Sequence, residues 1–214
     1  MIRLDELDPA QLIHSEAELR ALLGSPSELV THKVIHQLDL HCRDFIAKSP
    51  FVMLSTADAS GKCDVSPRGD FPGFVQVMDV TRLVIPERPG NKRLDSLRNI
   101  FANPNVGLIF IIPGLGETLR INGRASITKD ERWLKQMAVD GRSPIVGIVV
   151  EVEEAYLHCA KAFHRSRLWQ SDSCQRKEVL PSAARILAEH ARHAGMSAEQ
   201  IAERLEESYI KRLY

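Results

Sequence analysis

FVMLSTADASGKCDVSPRGD, residues 51–70, decides the fold. FVMLSTA (51–57) reads as a buried strand, DASGK (58–62) as a hairpin turn and CDVSP (63–67) as the returning strand. Gly61 supplies the permissive backbone that a tight hairpin needs. The turn-rich RGDFPG follows.

Downstream, the same texture repeats. FVQVM (74–78) and RLVIPE (82–87) flank Asp79-Val80-Thr81 and predict a second hairpin. RLDSLRNIFAN (93–103) switches to helical spacing through Leu94, Leu97, Ile100 and Phe101. Strand signals return at VGLIFII (106–112), TLRINGRASIT (118–128) and IVGIVVEVEEAYLHC (145–159), with a short helix predicted over 130–139. Six or seven strands on short turns, with one helix after the fourth, imply antiparallel hairpins rather than βαβ crossovers. The fold class is therefore mainly β with added helices (α+β), a barrel or sandwich rather than a Rossmann fold.

Upstream, spacing predicts helices over 9–23 and 34–48, stopped by Gly24-Ser25-Pro26 and by Pro50. The tail from 181 to 214 reads as two more. Ser197 and Gln200 form a capping-box pair there, ahead of an apolar stripe at Ile201, Leu205, Tyr209 or Ile210, and Leu213.

Composition excludes several classes. Lys+Arg and Asp+Glu each number 28 in 214 residues, so no net basic charge favours duplex nucleic acid. No apolar run reaches the roughly 20 residues of a membrane span. The start MIRLDELDPA lacks the pattern of a signal peptide. Cys42, Cys63, Cys159 and Cys174 are scattered, which fits a reducing cytoplasm. G-x-S-x-G, H-E-x-x-H and Walker patterns are missing. His32 and His36 are four apart on a possible helix but have no evident downstream ligand, and in the His158, Cys159 and His164 group a helical Cys159-to-His164 offset points those two side chains differently. Neither group reads as a metal set.

Three polar stretches could carry chemistry. Ser66-Pro67-Arg68-Gly69-Asp70 ends a strand and can offer a guanidinium to a phosphate or ring edge; its plain alternative is a solvated Arg–Asp turn. Arg88-Pro89-Gly90-Asn91-Lys92-Arg93 precedes the 93–103 helix. Cations at that end oppose the helix dipole, so a bound anion such as a phosphate monoester would account for them. The alternative is a basic loop neutralised by Asp95 or Glu87. In TLRINGR, alternation puts Thr118, Arg120, Asn122 and Arg124 on one face: a ligand wall, a subunit interface or a solvated sheet face.

In their order, these segments resemble the pyridoxamine 5′-phosphate oxidase-related family of FMN-binding split barrels. The likeness is clearest from Phe51 to about Ile127, through FVMLSTADASGKCDVSPRGD, Asn91-Lys92-Arg93, Asn103-Pro104-Asn105, VGLIFII and TLRINGRA. HCAKAFHRSRLW (158–169) is similar to one sub-branch, extending the resemblance over most of 30–170. It implies a split β-barrel domain at 49–170, an N-terminal helical segment at 1–48 packed on it, and a C-terminal helical extension at 171–214.

The resemblance further implies a cytoplasmic homodimer with flavin mononucleotide (FMN) between subunits. Ser66 and Arg68 would lie along the flavin ring or ribityl chain. Asn91, Lys92 and Arg93 would hold the phosphate. Thr118, from the neighbouring subunit, and Arg120 would add polar contacts. Lys161, Arg165, Ser166 and Trp169 would surround the isoalloxazine, with Lys161 or Arg165 stabilising anionic reduced flavin near N1. Catalytic residues are not apparent. The tail departs from the substrate segment of true pyridoxamine phosphate oxidases, so an oxidoreductase acting on another small molecule is expected. The alternatives are FMN storage or sensing without turnover, or a barrel that binds haem, with His158 or His164 as ligand, or deazaflavin.

Overall fold

The structure, a computed structural model, describes residues 8–214. It divides into two units, one ending at Val34 and one spanning Ile35–Tyr214. In the first, the expected helix over 9–23 is broken. A 3-10 turn at Pro9–Gln11 gives way to α1 (Glu16–Leu23), because Ser15 starts a new helix by accepting from the Glu18 amide. Gly24, at φ 78°, ends α1, and α2 (Glu28–His32) follows.

The second unit opens with an isolated bridge from Ile35 to Ala155 and then α3 (Leu40–Lys48). The helix expected over 34–48 is thus shorter. Asp39 caps it by accepting from the Cys42 amide at 2.8 Å, while the Ile35 amide and carbonyl pair with Ala155. α3 buries Cys42, Phe45 and Ile46.

Strand β1 (Phe51–Ala57) alternates, with Val52, Leu54 and Thr56 buried. The Thr56 hydroxyl is satisfied by Asn99 Nδ2 at 3.0 Å. The 58–62 turn returns the chain into β2 (Cys63–Gly69). There the Asp58 carboxylate accepts from the Ser60 and Lys62 amides, and Gly61 takes φ 84°. The second hairpin pairs β3 (Gln76–Val77) with β4 (Arg82–Pro86). α4 (Asp95–Ala102) is the inserted helix. Then come β5 (Asn105–Ile111), β6 (Thr118–Thr128), the single turn α5 (Glu131–Leu134) and β7 (Gly147–His158).

All seven strands join one antiparallel sheet in the order β2-β1-β5-β6-β7-β4-β3. A bulge at Asn122/Gly123 bends the long β6–β7 ladder. Only glycine fits there, since a Cβ on Gly123 would lie 2.1 Å from the Glu151 carbonyl oxygen. The sheet curls until β2, at one margin, approaches the chain leaving β4 near the other, where Arg68 pairs with Glu87. This is the split-barrel arrangement.

Inside the curl, Val52, Leu54, Leu83, Ile85, Leu108, Phe110, Ile121, Ile148 and Val150 are fully buried against α3 and α4. At about 1.5–3 kcal/mol for each large side chain, this is the main force holding the barrel. Val84 points to the opposite face of β4 and packs under Leu134 and Met137.

Beyond the barrel lie α6 (Lys161–Ser166), α7 (Ala183–His190) and α8 (Ala198–Lys211). The Ser197/Gln200 capping box forms as read from the sequence. The α8 stripe is only partly covered: Ile201 and Leu205 are half-buried, while Tyr209 and Leu213 are exposed. Among the described residues no helix is long and apolar enough to cross a membrane.

Candidate functional site

Curling leaves a cleft of about 690 Å³ where the sheet margins meet. Its walls are the inner end of β2, the chain from Glu87 to the first turn of α4, the 142–146 loop and Tyr214. Such a volume lies within the roughly 300–1,000 Å³ typical of small-molecule sites.

The α4 start has an unusual backbone. Lys92 and Leu94 both take left-handed conformations, at φ 61° and 60°, although neither is Gly or Asn. Leu94 is the N-cap residue, and no side chain bonds to the first-turn amides. The helix therefore presents uncapped N–H groups and its positive dipole end beside Lys92 and Arg93. The three cations of the sequence stretch precede the helix rather than lying within it.

Carboxylates already engage most of the positive charge. Arg68 pairs with Glu87, and its Nε donates to Ser66 Oγ at 3.2 Å. Ser66 Oγ lies 3.0 Å from Ser96 Oγ, which donates to Asp64 Oδ2 at 3.0 Å. Arg93 Nε reaches Asp95 Oδ2 at 2.7 Å, and its guanidinium holds the Asp95 carboxyl below the usual carboxylate range. The Arg93 amide donates to Asn91 Oδ1 at 3.0 Å. Arg88 is more deeply engaged: its Nε donates to Asp70 Oδ2 at 2.7 Å and its Nη2 to the Met137 carbonyl at 2.8 Å.

Ser66, Arg68, Asn91, Lys92 and Arg93 thus meet in one cleft. The other six residues singled out in the sequence do not line it. Thr118 is buried on β6 opposite His158, so the polar face read from alternation begins at Arg120. Arg120 lies over the Tyr156 ring at 5.2 Å. Lys161, Arg165 and Ser166 lie exposed on α6, where Ser166 Oγ donates to the Phe163 carbonyl at 3.2 Å. Trp169 stacks on Phe163 with centroids 5.6 Å apart and donates from Nε1 to the Leu115 carbonyl at 2.8 Å.

The sequence profile of the pyridoxamine 5′-phosphate oxidase family matches residues 38–159, more than half of the chain. The chain belongs to the pyridoxamine 5′-phosphate oxidase family. Among solved structures, HupZ of Group A Streptococcus is 20% identical, with 56% of this chain covering 92% of that one at a TM-score of 0.46. An FMN-binding protein from Syntrophomonas wolfei subsp. wolfei is 10% identical, covering 55% and 83% of the two chains at a TM-score of 0.44. HutZ, the heme storage protein from Vibrio cholerae, is 19% identical, covering 57% and 94% at a TM-score of 0.40. No curated protein matches the chain.

In this member of the pyridoxamine 5′-phosphate oxidase family, sequence reading missed Tyr214, Arg142 and Ser96 as parts of the cleft. Ser96 is nearly inaccessible and sits one residue beyond the charged α4 start, so the helix register could have suggested it. Tyr214 arrives from the end of α8 and carries no local signal.

Proposed function

We propose that the chain is an FMN-binding flavoprotein, and an oxidoreductase acting on a small molecule other than a vitamin B6 phosphate. The observation that carries this reading is the uncapped α4 start, flanked by Lys92 and Arg93, opening onto a cleft walled by Ser66 and Arg68 in a chain of this family. Free backbone amides, a dipole end and exposed cations suit a phosphate monoester. Asn91, Lys92 and Arg93 would hold it, and Ser66 and Arg68 would face the remainder of the ligand.

FMN, when bound, supplies hydride and electron transfer. The chain's own work is to bind, orient and exclude water. Ser66, Arg68, Ser96 and Glu87 form a linked hydrogen-bonding wall that fixes donors and acceptors in advance. Thr118 is buried within its own chain and would support the strand rather than touch the ligand, whereas Arg120, Lys161, Arg165, Ser166 and Trp169 would be contributed by a second copy in a homodimer. Their separation from the cleft within one chain is consistent with a site shared between subunits, and Lys161 or Arg165 would then set the charge near the flavin. The proposed setting is cytoplasmic.

Purification tests the reading directly. Yellow protein that releases FMN on heating, or colourless protein that takes up added FMN, is the expected result. Failure to bind FMN refutes it, and uptake of haem or a deazaflavin instead identifies the alternative ligand. Oxidation of the reduced holoprotein by quinones, or reduction by NAD(P)H, separates an enzyme from a storage or sensing protein. A strict monomer in solution would refute the shared site.

A further inference from the structure

We propose that Arg212–Tyr214, the segment following α8, is a strap over the cleft that controls how fast ligand enters and leaves. The inference takes only the identity of the ligand, FMN, from the reading above. Tyr214 is the contact point. Its hydroxyl donates to Asp70 Oδ1 at 2.6 Å, and the Arg88 guanidinium lies 5.4 Å from the ring centroid. Arg142 Nη1 donates to the Tyr214 main-chain oxygen at 2.8 Å. The Asp70 hydrogen bond raises the Tyr214 hydroxyl above the ordinary phenol range.

The body side of this contact is fixed in advance. The Asp70 side chain is 2% exposed and already held by Arg88. Arg142 sits on a tight turn in which Asp140 and Gly141 take φ 49° and 75°, closed by reciprocal main-chain bonds between Val139 and Arg142 at 3.1 and 2.9 Å.

The strap side is the opposite. Lys211 and Arg212 are exposed, Leu213 is 57% exposed and Ile210 is 72% exposed. Little apolar surface holds the segment down, so its closure rests on the polar contacts of one residue. Segments with few buried apolar contacts open locally at small free-energy cost, without global unfolding.

A strap that must open for passage scales association and dissociation by the same open fraction. Tyr214→Phe keeps the ring and removes the bond to Asp70. Loss of a hydrogen bond to a charged acceptor should raise the open fraction about tenfold. Stopped-flow FMN fluorescence should then show both rates rising about tenfold, with Kd changed by less than about twofold. Faster release with unchanged association would overturn the strap and make Tyr214 an ordinary wall contact. Two unchanged rates would overturn it as well.

A second arm needs no flavin. Ser66→Cys places a thiol inside the cleft, with the exposed Cys63 as internal reference. Peptide-resolved alkylation at position 66, relative to Cys63, should be about tenfold faster when Tyr214→Phe is added. Equal rates with and without Tyr214→Phe would refute the strap. Should the wild-type chain bind no FMN, the proposed cofactor fails, and these thiol rates alone decide the strap.

Discussion

Replacing Arg93 with alanine should separate FMN from riboflavin, which differ only by the phosphate. A charge-assisted hydrogen bond contributes about 1.5–3 kcal/mol. Arg93 is not idle beforehand, because it pairs with Asp95 at 2.7 Å, with side chains 71% and 37% exposed. A surface pair of that kind contributes roughly 0–1 kcal/mol, which phosphate binding must offset. The net loss in Arg93→Ala is then about 0.5–3 kcal/mol, or roughly 2- to 160-fold in FMN affinity and about 20-fold at mid-range, with riboflavin unchanged. Asp95→Asn is the mirror experiment. It frees Arg93 and removes a carboxylate from the anion's neighbourhood, so FMN should bind tighter and riboflavin should not respond. Arg93 keeps Asp95 ionised well into acid, so the competition is constant near neutrality. FMN affinity should instead rise with pH through about 6, as the phosphate gains its second charge. Isothermal titration at fixed ionic strength measures each of these. Equal losses for FMN and riboflavin in Arg93→Ala would refute a phosphate at α4, and weaker FMN binding in Asp95→Asn would refute the competition.

Gly123→Ala should destabilise the chain at or beyond the upper end of the roughly 1–3 kcal/mol typical of overpacking, because the new Cβ meets backbone that cannot turn aside. Urea unfolding checks it. Native-state alkylation at about pH 8 should modify Cys63, Cys159 and Cys174 but spare Cys42, whose burial pushes its thiol up to about 12. Asp79, brought down to about 2 mainly by its hydrogen bonds from Arg82, should stabilise the fold fully above the ordinary carboxylate value of 3.8. That benefit is lost as pH falls through about 2, so the difference in melting temperature from Asp79→Asn should shrink over that window.

The barrel strands were legible because their signal is local. β6 forms over Thr118–Thr128, the stretch its residues predict, and β1 alternates as a half-covered strand should. Reading failed where a distant partner overrides local pattern. Residues 34–39 carry helical spacing, yet the Ile35 backbone is claimed by Ala155, and Asp39 delays the helix to Leu40. Phe74 and Val75 are buried without entering β3, so their hydrophobicity reports the core rather than a strand.

The cleft follows the same division. Ser66, Arg68 and residues 91–93 stand out because polar side chains crowd beside strand and helix signals. The Asp70–Tyr214 contact spans 144 residues and leaves no local trace. Charge placement was legible, but the resting partners of those charges were not. The anion-site and neutralised-loop readings of residues 88–93 looked exclusive in the sequence. The structure allows them to be two stages of one event, since Arg93 rests on Asp95 and Arg68 on Glu87 beside a helix start with open amides. A ligand phosphate would then exchange one anionic partner for another rather than meet a bare cation. That exchange lowers affinity, and it also spares the free protein an uncompensated cluster of charge. It is why Asp95→Asn, which removes the resting partner and leaves the cation, discriminates better than any loss of arginine.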